Sequence, residues 1–325
     1  LRLKIFFDFY MKSFCVLGLF LISTLPFLPF NPYTVTPPGT TRLNDSLFVD
    51  ICELSVSDWN EYSFWLKRMY GEDSDEYKAC FPDSTVWRKS IYEQVAKSYF
   101  KHPAYYNFPI VGITYEQAVA YCEWRSIQVN YMLYARQNKL AYSLKDDTVG
   151  IPQIYKYRLP SKQEWEVIAS LGFSKKTLKQ IEKSYNPNIY NLIYPRHQGE
   201  NATNAINLNT TAKVNSFWTN LIGCYHIFGN VAEMTDTKGL AKGGAWLHNA
   251  YEVTVDRDFY YKGSQDWVGV RCVCEKVMKS EKEIARDSLR QAKLERKFQR
   301  DSIKQEKLLQ KQERKRGDDS DEDDD

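Results

Sequence analysis

The chain has 325 residues, long enough for two average domains. Its 44 Lys and Arg against 41 Asp and Glu give a net charge of +3, which hides a basic stretch and an acidic tail near the C-terminus. The balance therefore excludes any choice of partner from pI alone, and 23 Tyr and 8 Trp supply enough apolar ring surface for a large core despite many loops.

Met11-Lys12 is followed by an apolar run from Phe14 to Phe30. A positive start and a short apolar core make residues 1–30 a signal peptide or membrane anchor. The run carries Pro26 and Pro29 and falls short of the roughly 20 residues of a comfortable spanning helix. No cysteine follows it as a lipid-attachment site. Export to the periplasm or cell envelope is the implied location. There the six later cysteines, Cys52, Cys80, Cys122, Cys224, Cys272 and Cys274, meet conditions that permit disulfides. No CxxC pair has metal-ligand spacing.

Residues 31–44 are Pro/Thr-rich and are expected to form an extended linker. A domain over 45–275 begins with a short strand at Leu47–Ile51. Ser57 is expected to cap a helix to about Met69, with Trp59, Tyr62, Phe64, Trp65 and Leu66 as apolar contacts. Thr114 with Gln117, and Ser161 with Glu164, have capping-box spacing, so helices are expected from each. Residues 185–220 are rich in Asn, Thr and Pro and show no helical period, and short strands with long loops are expected up to Glu275.

Residues 276–316 contain no Pro or Gly and are dominated by Lys, Arg, Glu and Gln, which predicts one exposed charged helix over 276–316. A 14-residue repeat returns Arg286-Asp287-Ser288-Leu289 as Arg300-Asp301-Ser302-Ile303. Yet Leu294, Phe298, Ile303 and Leu308 lie about 140°, 180°, −40° and 100° from Leu289, which is no coiled-coil seam. Residues 317–325 are a like-charge acidic tail, expected to be disordered. Acids interrupt the basic stretch and the chain reads as exported, so no nucleic-acid partner is expected.

Several segments then come in a telling order: Val49–Ser55, Pro109–Thr114, Ala120–Trp124 and Arg158–Glu166, then Gly229-Asn230-Val231-Ala232-Glu233, Gly243-Gly244-Ala245-Trp246 and Gly269-Val270-Arg271-Cys272. Together they resemble the formylglycine-generating (sulfatase-modifying factor) family over roughly residues 45–275. The segments Phe81–Trp87 and His102–Pro109 are similar to a Bacteroidota branch, the gliding-motility and type IX secretion envelope proteins, many of them lipoproteins.

The resemblance implies an α+β formylglycine-generating-enzyme fold, related to C-type lectins, with low regular secondary structure, short strands and few helices. Family enzymes oxidise a sulfatase cysteine with copper held by two thiolates, soft donors suited to Cu(I). The equivalent positions here are His248 and Val253, neither a thiol, so no catalytic residue and no catalytic cofactor is expected. The family's calcium site maps onto Gly229, Val231 and Glu233, with His226 in place of an upstream asparagine; calcium is a possible ligand. Cys122 and Cys272 occupy positions that pair as a disulfide in family members. Arg158, Glu164 and Trp165 are expected to form a structural anchor.

The implied function is a non-catalytic structural or binding protein with envelope partners, membrane-associated if the N-terminal segment is retained. The competing reading is a metal- or oxygen-dependent enzyme with a rebuilt active site drawn from His248, Glu252, Asp256 and Asp258. A third is a module that binds a glycan or peptide on the Tyr/Trp-rich surface.

Overall fold

The computed structural model describes residues 31–89, 98–141, 148, 150–183, 190–193 and 210–279, and isolated positions from 285 to 304. The N-terminal apolar run, much of the Asn/Thr/Pro-rich segment and the acidic tail lie outside the described residues.

Among the described residues, two small sheets and five α-helices form the domain. The strands are β1 (Thr40–Arg42), β2 (Leu47–Asp50), β3 (Tyr155–Arg158), β4 (Ala232–Met234), β5 (Leu240–Lys242), β6 (Phe259–Tyr260), β7 (Val268–Gly269) and β8 (Val273–Lys276). The helices are α1 (Val56–Tyr70), α2 (Asp75–Ala79), α3 (Tyr115–Gln137), α4 (Lys162–Ser170) and α5 (Lys175–Lys183). The first sheet has order β1-β2-β8-β3 and is antiparallel throughout. The second has order β6-β5-β4-β7, with β4 and β7 parallel. Short strands, few helices and long loops are the α+β architecture expected.

Local chemistry sets the helix starts. Ser55, not Ser57, caps α1: its Oγ accepts from the Asp58 N–H, and Asp58 returns a bond to the Ser55 N–H. Ser57 sits inside the first turn, because Asp58 supplies the reciprocal carboxylate three residues after Ser55. Thr114–Gln117 and Ser161–Glu164 form capping boxes as their spacing predicts. Helix α3 continues to Gln137, well past Trp124, because its inner face is bonded to β3. Asn130 accepts from the Ile154 and Tyr155 N–H groups and donates to the Tyr155 carbonyl, while Ser126 Oγ accepts from Tyr157 N–H. This covers the edge of the first sheet, which would otherwise present open backbone.

Residues 31–44 are tied to the domain. Pro32–Thr34 form a 3-10 turn, β1 pairs with β2, and Tyr155 Oη donates to the carbonyls of Pro32 and Val35. At the other end, Lys276 lies in β8 beside Tyr155 and is buried, so the expected charged helix starts after this strand. The isolated described positions from 285 to 304 are helical and exposed.

The core fills the space behind the first sheet. Leu47, Val49 and Val273 pack against Trp165, Ile168 and Ala169 of α4 and against Cys224 and Ile227 of the loop before β4. A second aromatic cluster joins α1 to α3: Trp59 stacks on Tyr121 at 5.7 Å, and Tyr62 contacts Trp124 at 5.1 Å.

Candidate functional site

The ordered motifs of the sequence converge on one buried ionic cluster. Gly229 has φ +76°, and a Cβ there would sit 1.6 Å from the Tyr190 carbonyl oxygen, so only glycine fits this approach. The turn delivers Asn230, fully buried at φ +59°. Asn230 Oδ1 accepts from Ala212 N–H at 2.6 Å, and its Nδ2 donates to Glu53 Oε2 at 2.6 Å. Glu53 also accepts from the Val231 N–H at 3.3 Å. Strand β4 then places Glu233 opposite Arg271. Arg271 Nε donates to Glu233 Oε1 at 2.8 Å, and Trp165 Nε1 donates to Oε2 at 2.7 Å. Arg271 Nη2 also lies 2.7 Å from Glu233 Oε1, while Nη1 donates to the Asp50 carbonyl and Nη2 to the Tyr225 carbonyl.

Burial dominates the electrostatics here. It pushes Glu53 well above the usual carboxylate range, opposed chiefly by Arg271. It raises Glu233 as well, again opposed by Arg271. Asp50, itself buried, extends the network: it accepts from Arg125 Nη1 and Nη2 at 2.7 and 2.9 Å and from the Cys272 N–H.

Calcium requires six to eight oxygen ligands. Glu233 has both oxygens committed, one to a cation that would face the ion. The Gly229, Val231 and Glu233 set therefore does not fit calcium, and the motif's carboxylate works as the anchor of a buried ion pair. His226 confirms the point on the upstream side. Its Nε2 lies 3.1 Å from the Lys213 carbonyl, which can only accept, so Nε2 carries the proton. Burial pushes this imidazole down to about 3, and it contributes no oxygen.

The two positions that the resemblance equates with copper thiolates, His248 and Val253, border the same spot. A Cβ on Gly244 would lie 2.5 Å from Val253 Cγ2 and 3.4 Å from Phe259 Cζ. The His248 ring lies 4.5 Å from the Phe259 ring and 5.1 Å from that of Trp267. His248 Nδ1 accepts from the Ala245 N–H at 2.9 Å, and burial with Arg257 nearby pushes the ring down to about 4. A neutral imidazole and two methyl groups thus fill the place, and they do not fit a Cu(I) ion that two thiolates would hold.

The other candidate ligands go elsewhere. Asp258 pairs with Lys162 at 2.7 Å and with fully buried Lys242 at 3.0 Å, which hold it below the usual carboxylate range. Lys242 also meets Glu166 at 2.9 Å. Asp256 accepts from Thr254 Oγ1, and Glu252 lies exposed in a 3-10 turn. Among the described residues no three His, Cys, Asp or Glu side chains converge as a metal site.

Cys122 and Cys272 do come together, as neighbouring free thiols with Sγ atoms 3.5 Å apart; the disulfide is not formed in this structure. Arg158 and Glu164 form a two-pronged ion pair with both N–O distances at 2.7 Å. Glu53 and Asn230 are the residues that motif reading missed as partners. Both stood inside quoted motifs, but nothing in sequence links positions 177 residues apart.

The model of the sulfatase-modifying factor enzyme 1-like domain matches residues 23–276. The chain belongs to this family. Among solved structures it is similar to Treponema denticola variable protein 1, at 15% identity and TM-score 0.36 over 74% of this chain and 92% of that one. It is also similar to CarF (16%, TM-score 0.38, 71% and 87%) and to PvdO from Pseudomonas aeruginosa (18%, TM-score 0.32, 52% and 62%). No curated protein matches the chain.

Proposed function

We propose that this sulfatase-modifying-factor domain is a non-catalytic binding and assembly module of the bacterial cell envelope, associated with a type IX secretion or gliding-motility complex. The observation that carries the loss of catalysis is the filling of the thiolate positions by His248 and Val253, packed around Gly244 and Phe259. The secretion-branch assignment is supported by the segments at 81–87 and 102–109. The same face leaves Tyr251 and Tyr260 67% and 76% exposed, rings suited to a protein partner. The buried ion pairs hold the scaffold rigid behind that face.

The test is cross-linking in intact cells, followed by purification of the full chain and identification of its neighbours. Recovery of envelope secretion components, weakened by Tyr251→Ala with Tyr260→Ala, supports the reading. Recovery of a sulfatase-like substrate instead, or of no envelope component, overturns it.

A further inference from the structure

A small cavity lies between the end of α4 and the segment that precedes β4. Its walls are the half-buried rings of Phe173, Tyr190, Trp218 and Phe228. Phe173 stacks on Tyr190 at 5.7 Å, and Phe228 meets Tyr190 edge-on at 5.6 Å. The cavity volume is about 30 Å³. That is about twice the least space that holds one water, so one or two heavy atoms fit. The floor is polar but almost fully engaged. Asn220 Oδ1 accepts from the Ile222 and Cys224 N–H groups, and its Nδ2 donates to the Ile168 carbonyl. Burial pushes the Cys224 thiol up to about 12, so it carries no charge. His226, 3% exposed, also lines the cavity. Its Nε2 holds the proton against the Lys213 carbonyl at 3.1 Å, which leaves Nδ1 a bare acceptor. Nδ1 is buried and has no partner among the described residues. Leaving a buried acceptor unmade is costly, and the cavity is where this one can be satisfied.

We propose that this cavity receives the hydroxymethyl group of a hexose in a neutral glycan, its hydroxyl donating to His226 Nδ1 and the sugar ring lying on the aromatic rim. Each property of the site narrows the ligand. Nδ1 calls for a donor, so an anion would meet only its lone pair, and no cation lines the cavity. An ammonium group would meet the Arg271 guanidinium, which donates to the Tyr225 carbonyl between Cys224 and His226. No carboxylate in the lining offsets that repulsion. A buried water uses about two to four polar partners, and Nδ1 is one. A hydroxyl on a single carbon fits the space, and apolar walls with one placed polar group suit an apolar body with a polar tip. A serine side chain offers the same group. Its flanking peptide N–H and C=O groups would lie over ring faces that leave them unbonded, which is costly. A hexose presents its C–H face there instead. The proposal goes beyond the assembly role and does not depend on it.

The test is ligand-detected saturation-transfer NMR on the full chain with three sugars. They are methyl glucoside, its deoxy analogue in which the hydroxymethyl is a methyl, and methyl xyloside, which lacks that carbon. Saturation is expected to reach the hydroxymethyl protons of the glucoside most strongly. Without the hydroxyl Nδ1 stays unpaired, so the deoxy sugar and the xyloside are expected to bind about tenfold more weakly. Trp218→Ala, which removes one wall, should weaken the glucoside by a similar factor. Equal binding of the glucoside and its deoxy analogue overturns the proposal, as does an absence of transfer to the hydroxymethyl protons. Binding of N-acetylserine amide or of ethylamine where the glucoside gives none also overturns it, in favour of a peptide or a cation. The sugar series is read on the wild type, so it decides even if Trp218→Ala folds poorly.

Discussion

Arg271 and Glu233, 38 residues apart, meet through Nε and Oε1 at 2.8 Å with both side chains almost wholly out of water. The pair fastens the Gly-Asn-Val-x-Glu turn to the strand that follows the Gly-x-Arg-Cys motif, and Trp165 holds the second carboxylate oxygen from α4. Three motifs that look separate in sequence are therefore parts of one joint. Removing one partner leaves a buried charge uncompensated, which costs about 3–5 kcal/mol. Glu233→Ala is expected to lose stability of that order in urea denaturation. A loss within about 0.5 kcal/mol, the range of ordinary surface substitutions, would show that the joint is not structural.

Calcium gives a second discrimination. An ion bound only by the native state stabilises it by about 2.7 kcal/mol at a hundred times its Kd. With Glu233 engaged by Arg271 and Trp165, millimolar calcium and chelator are expected to leave the thermal midpoint of this protein unchanged. A calcium-dependent rise would mean that the carboxylate leaves Arg271 to take the ion.

His226 makes the fold acid-sensitive. Its folded value of about 3 lies below its ordinary 6.5, because burial penalises the charged ring. The stability this supplies is complete above about pH 6.5 and is lost as pH falls toward 3, by about 3 kcal/mol at pH 4. His226→Asn removes the titration and tolerates the left-handed backbone at φ +49°. The urea midpoint of this variant is expected to fall less between pH 7 and pH 4 than that of the wild type. Parallel declines would assign the acid sensitivity to other groups.

The helix starts and the family were legible because they depend on near neighbours and on ordered motifs. Thr114–Gln117 and Ser161–Glu164 each close their caps within three residues. Ser57 misled because Ser55 and Asp58 make the better reciprocal pair, and composition alone does not rank two serines. The linker at 31–44 misled for a different reason. Its Pro and Thr content describes the chain alone, whereas Tyr155 and β2, far along the sequence, recruit it. The site was legible as a set of motifs but not as contacts. Glu53 finds Asn230, and Asp50 finds Arg125, only through the tertiary fold.

Cys122 and Cys272 are positioned to respond to oxidation. Their sulfurs lie 3.5 Å apart and 150 residues apart in sequence. The chain-entropy model gives about 5 kcal/mol for closing a loop of that size. Oxidised protein is expected to lose two titratable thiols and to melt higher than reduced protein, and Cys272→Ser should abolish the difference. An unchanged thiol count after oxidation would refute the pairing.

The last prediction restores what the chain lacks. His248 packs on Phe259 and Gly244 adjoins both Val253 and Phe259, and His248 and Val253 are the positions that the resemblance equates with the two thiolates. Soft sulfur pairs are strong Cu(I) ligands, whereas a neutral imidazole beside two methyl groups is not. The double substitution H248C/V253C is expected to bind one Cu(I) in competition with a chromogenic chelator, and the wild type none at this position. Each single cysteine should bind much more weakly, because one thiolate leaves the ion without its second ligand. Stoichiometric copper in the wild type, lost on His248→Ala, would instead make the imidazole a working ligand and return the domain to the enzymes.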